Sequence, residues 1–204
     1  MNDSTQFNKH DANIPEATPH TKPRIPGELG IWFFIAGDLM IFAVFFILIA
    51  LGQREQTEIF AQSRLQLDLW VGITNTLLLL TGSWFVALGV EKAKTGGSPQ
   101  LSRYFSLAIL CGFGFIANKS MEWGGKISAG LSPMTNDFYM YFFMFTGIHL
   151  LHVLVGIAVL FVIRGASKRK PLTTKDVRTI ESGALFWHLV DLLWIALFAL
   201  LYLL

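Results

Sequence analysis

Five apolar runs, each long enough to cross a lipid bilayer, decide what this chain can fold into. They cover about residues 29–51, 66–90, 104–122, 138–163 and 182–203, and a helix needs roughly 20 apolar residues to span the hydrocarbon core. None alternates apolar and polar residues as a membrane β-strand would, so each must satisfy its own backbone as a helix. Composition bears this out: 15% of residues are charged, against about a quarter in a soluble domain. The expectation is an all-α integral membrane protein, a bundle of five transmembrane helices.

Residues 1–27 read as a polar tail, expected to be mobile, and 28–204 as one membrane domain without internal repeats. The tail is not expected to act as a signal peptide, because the first apolar run is span-length and lacks a small-residue cleavage site. The connections 52–65, 91–103, 123–137 and 164–181 are short, and GGSP at 96–99 and GLSPM at 130–134 carry helix-breaking turn chemistry. No connection could bury a core, so any chemistry lies among the helices. The single cysteine, Cys111, excludes an internal disulfide. Gly72, Gly82, Gly112, Gly114, Gly147 and Gly156 lie inside spans, where small residues let helices approach closely.

Basic residues are unevenly shared between the two faces. With the N-terminus inside, twelve fall on cytoplasmic segments, and four (Arg54, Arg64, Lys119 and Lys126) on outside loops. The positive-inside rule then gives an N-in, C-out topology. Arg164, Lys168, Arg169 and Lys170 serve that topology, with contact to lipid headgroups as a second role; the pattern does not point to nucleic acid.

An ionisable group at the centre of a membrane helix costs about 2.5–3.5 kcal/mol on insertion scales, so each needs a reason. Asp38 lies mid-span in the first run, His149 and His152 in the fourth, and His188 and Asp191 in the inner half of the fifth. Glu122 stands at the outer end of the third span, with Glu28 and Glu181 at the inner ends of the first and fifth, where a helix dipole favours them. Trp32, Trp70, Trp123 and Tyr139 read as interfacial anchors.

A metal or haem is one reading of the histidines, because His149 and His152 are three residues apart on one helix. Against it, no HExxH or CxxCH is present, and His152 and His188 lie at different depths. Hydrogen bonding to carboxylates or carbonyls inside the bundle is the favoured reading. For Asp38, proton exchange and a neutral hydrogen bond between helices both fit.

Four segments together resemble subunit III of the haem-copper terminal oxidases. TGIHLLHVLVG (146–156) is similar to the family's two-histidine helix, and ESGALFWHLVDLLWIALFALLY (181–202) to its closing helix, with Glu, Trp-His and Val-Asp-x-x-Trp at this spacing. IWFFIAGDLMIFAVFF (31–46) resembles the helix carrying the family's intramembrane carboxylate, with Asp38 where many members have Glu. SMEWGGKI (120–127) matches its Glu-aromatic segment. The resemblance covers about 28–204 and is to the short, five-helix form, with an opening that leans towards the nitric-oxide-reductase-associated branch.

The resemblance implies a subunit with no redox or catalytic centre and no metal ligands. Haem and copper are expected in a partner catalytic subunit I, accompanied by subunit II, and bound phospholipid is compatible with the family. The implied role is assembly, stability during turnover and proton entry in a cytochrome c or quinol oxidase of a bacterial inner membrane. Asp38 is the expected proton-exchanging group; His149, His152, Glu181, His188, Asp191 and Glu122 are expected to form an intramembrane polar network. Two other readings are an accessory protein of nitric oxide reductase and a small proton-coupled transporter.

Overall fold

The structure is a computed structural model and describes residues 26–95, 100–169 and 171–204. The N-terminal tail up to residue 25, the GGSP turn and Lys170 therefore lie outside the described residues. Six helices follow in order: α1 Leu29–Glu55, α2 Thr57–Leu65, α3 Leu69–Lys94, α4 Leu101–Ser128, α5 Asp137–Ala166 and α6 Thr174–Phe198, the last continuing through a π-helical turn, Ala199–Leu203. All but α2 are long and apolar enough to span a membrane, and no strand occurs among the described residues.

Side-chain caps place several helix starts. Asp68 accepts from the Trp70 amide (2.9 Å) and begins α3, and Asn136 accepts from the Tyr139 amide (2.9 Å) and begins α5. Thr173 and Asp176 close a reciprocal capping box at the start of α6. That box starts the last helix well before residue 182. Glu181 is therefore not at a helix N-terminus but two turns inside α6, whereas Glu28 does occupy the N-cap position of α1. The connection 52–65 also holds a helix: α2 packs Phe60 against Phe138 (ring centroids 5.4 Å apart), and Ser63 accepts from Asn136 (2.9 Å).

Contacts at the helix ends sort the bundle into two faces. Where α1 and α6 begin, the Gly27 amide reaches Glu181 (3.0 Å), Lys94 at the end of α3 pairs with Glu181 (3.3 Å), and Arg164 near the end of α5 meets Ser106 near the start of α4 (2.7 Å). This is the N-terminal face. Helices α1, α4 and α6 thus run one way, and α3 and α5 the other.

Trp187 sits at the hub of the bundle, fully buried. A Cβ added at Gly112 of α4 would lie 3.1 Å from its ring, one at Gly156 of α5 3.0 Å, and one at Gly82 of α3 3.4 Å. Three helices therefore reach one indole by omitting side chains, the packing device expected where lipid supplies no hydrophobic drive. Helix α1 is the least enclosed element, burying only Phe42 and Ile49.

Candidate functional site: polar clusters between the helices

Asp38 and His152 meet across α1 and α5, with Nε2 of the imidazole 3.1 Å from Oδ1 of the carboxyl. Nδ1 of His152 lies 2.8 Å from the Ile148 carbonyl oxygen, which can only accept, so Nδ1 carries a hydrogen. The facing contact then holds a single proton, either on the carboxyl or on the ring. The second carboxyl oxygen of Asp38 is buried and has no hydrogen-bond partner among the described residues. The pair is a two-seat proton site lying between helices, with the Phe42 ring edge-on to the imidazole at 5.3 Å.

His149 does not join that pair. It is fully buried against Phe115 (5.7 Å) and Trp194 (5.3 Å), and neither ring nitrogen has a hydrogen-bond partner among the described residues. His188 and Asp191 meet at Ser83 of α3 rather than at each other. Nδ1 of His188 is 2.7 Å from the Ser83 hydroxyl, which also faces the Asp191 carboxyl. Glu181 belongs to neither group and ties the start of α1 and the end of α3 to α6. The polar residues are thus separate clusters rather than one network. Among the described residues no three His, Cys, Asp or Glu side chains converge to hold a metal ion.

A further cluster surrounds Glu122. Helix α4 continues to Ser128, so Glu122 lies inside the bundle and not at a span's end. Lys119, read above as an outside-loop charge, is in fact fully buried: its ammonium contacts Glu122 Oε2 (2.7 Å) and the Tyr202 hydroxyl (2.9 Å). Tyr202 in turn donates to Glu122 Oε1 (2.6 Å), and the Phe142 ring centre lies 4.5 Å from the ammonium. Two sequence signals mark this cluster: a lysine three residues before a glutamate on one helix face, and a lone tyrosine in the closing apolar stretch.

At the N-terminal face Arg164 is half-buried on Ser106, Lys168 is exposed, and Arg169 pairs with Asp176 (3.0 Å). Trp32 and Trp70 are exposed and suit an interfacial role. Tyr139 does not: it is buried, its hydroxyl donating to Gln66 (2.9 Å), and so belongs to the core.

Comparison with known proteins gives one consistent result. The family model described as cytochrome c oxidase subunit III matches residues 16–204. A cytochrome c oxidase subunit 3 of Bacillus sp. PS3 is 25% identical over 191 residues, 92% of this chain and 91% of that protein. A probable cytochrome c oxidase subunit 3 of Mycobacterium tuberculosis is 28% identical over 178 residues, 86% of each. A cytochrome bo(3) ubiquinol oxidase subunit 3 of Pseudomonas aeruginosa is 27% identical over 180 residues, 85% of this chain and 83% of that one.

Proposed function

The chain belongs to the cytochrome c oxidase subunit III family, and from that premise we propose that it is a non-catalytic subunit of a haem-copper respiratory oxidase. The observation that carries this is the family match across nearly the whole chain, including every membrane helix. Its partners are the catalytic subunit I, which supplies haem and copper, and subunit II, in the inner membrane of a bacterium. Its work is to support assembly, stability during turnover and proton entry in aerobic electron transport. The comparisons lend no support to an accessory role in nitric oxide reduction or to a small proton-coupled transporter.

Two structural features support the reading. The Asp38–His152 pair sets a carboxyl against an imidazole between helices, the arrangement that the proposed proton entry calls for. An apolar groove of about 510 Å³ among α1, α5 and α6, lined by Phe34, Val155, Val159 and Phe186, suits the acyl chain of a bound phospholipid. The test is affinity purification of the tagged chain from native membranes in mild detergent. A large partner with a haem-copper oxidase spectrum is expected, together with oxygen consumption; recovery of the chain without any haem protein would overturn the assignment.

A further inference from the structure

The seam between α3 and α6 carries polar side chains for which the oxidase reading has no use. Glu91, Ser83 and Thr76 follow one another about two turns apart down α3. They face Glu181, His188, Asp191 and Trp194 on α6, through the Lys94–Glu181 pair (3.3 Å), the Ser83–His188 contact (2.7 Å) and the Trp194–Thr76 hydrogen bond (3.0 Å).

Among the described residues the seam opens at the N-terminal face. There a cavity of about 320 Å³ is lined by Glu91, Lys94, Glu181 and His188. His188 passes from this cavity to Ser83, and one turn deeper stands Asp191, whose Oδ1 is buried and has no hydrogen-bond partner among the described residues. Beyond Asp191 the seam closes on Trp194, fully buried and donating to Thr76, and then on Phe198 and Tyr202 packed against Gly72.

We propose that Asp191 is a proton-exchanging carboxyl served from the N-terminal face alone, with His188 and Ser83 as its relay. Water in the cavity gives a proton to Nε2 of His188, Nδ1 gives one to the Ser83 oxygen, and the Ser83 hydroxyl proton passes to the Asp191 carboxylate, directly or through one water. One proton enters and one carboxylate is neutralised; release reverses the steps. The closed far end makes this a store, not a leak. Besides His188, the charged groups around the route are Glu91 and Lys94 of α3 and Glu181 of α6. Titratable groups on the other helices packed nearby are held elsewhere: His152 on Asp38, His149 between Phe115 and Trp194, Arg164 on Ser106, and Lys119 on Glu122. The proposal does not depend on the oxidase assignment.

Infrared spectroscopy after a rapid pH jump, on the purified full chain in lipid nanodiscs, tests it. Asp191→Asn identifies the bands of this carboxyl by their loss. These bands are expected to interconvert promptly in the wild type and in Ser83→Thr, which keeps the hydroxyl. In Ser83→Ala and His188→Phe the interconversion should be slowed by roughly a hundredfold, the scale of a positioned proton-transfer group. Thr76→Val, beyond the closed end, should leave the rate unchanged. Absence of any pH-responsive band that depends on Asp191 would overturn the proposal. So would an unaltered rate in Ser83→Ala, or a slow rate in Thr76→Val. The first of these outcomes is read on the wild type and Asp191→Asn alone, whatever the folding of the relay variants.

Discussion

Asp38 sits opposite an imidazole that already spends its other nitrogen on a backbone carbonyl, so the pair holds one proton between two seats. Replacing Asp38 by Asn keeps the shape and supplies an amide N–H to Nε2, but removes one seat. The variant is expected to assemble with normal haem content yet turn over more slowly at high pH, or lose activity sooner during turnover. Turnover against pH and time, at equal haem, measures this; identical curves would leave Asp38 purely structural. Asp38 was legible in the sequence because a carboxylate in an apolar run is anomalous. Its partnership with His152 was not, because it depends on how α1 and α5 are rotated and staggered. Lys119 was misread because its charge lies near the end of an apolar run, and only the fold brings Phe142, Trp194 and Tyr202 around it. Lys119→Met strands a buried carboxylate and should cost about 3–5 kcal/mol, while Lys119→Met with Glu122→Gln should recover most of it. Thermal unfolding in detergent compares the two, and a double variant no better than the single would refute this account of the pair.

Among the elements, α6 binds the bundle together, and its packing explains which glycines matter. A Cβ at Gly156 would press on the Trp187 ring at 3.0 Å, whereas one at Gly147 would find Trp123 at an ordinary 3.4 Å. Gly156→Leu is therefore expected to destabilise by about 1–3 kcal/mol through overpacking. Gly147→Ala should melt no lower than wild type; equal losses at both sites would show that the indole does not set the cost. Five spans were legible because lipid demands long uninterrupted apolar segments. Their ends were not, since α4 runs past residue 122 and α6 begins at Thr174 on polar residues that side-chain caps organise. Helix α2 is nearly as polar as a loop, so its contact with α5, through Phe60 and Ser63, reveals it only in three dimensions.

At the scale of the whole molecule, the bundle has two chemically different faces, and burial sharpens the contrast. With Lys119 enclosed, the basic residues on the face opposite the N-terminal one reduce to Arg54, Arg64 and Lys126. The N-terminal face carries Lys92, Lys94, Arg103, Arg164, Lys168, Arg169, Lys175 and Arg178, all close to span ends where such charges direct insertion. The expected orientation is N-in and C-out. A fluorescent-protein fusion before Met1 should therefore be bright. After Leu204 the same fusion should be dark, and a phosphatase there active. An odd number of spans requires the two termini to report opposite sides, so agreement between them would contradict the five-span fold itself. Opposite but exchanged signals would keep the fold and reverse the topology. Replacing Arg164, Lys168, Arg169, Lys175 and Arg178 by Gln separates cause from coincidence. If these charges hold the orientation, the variant should insert in both directions, with both reporters partly active after Leu204. If it inserts as the wild type does, the first helices alone set the topology, and the basic cluster at the end of α5 is left with its Arg169–Asp176 pair and headgroup contact as its roles.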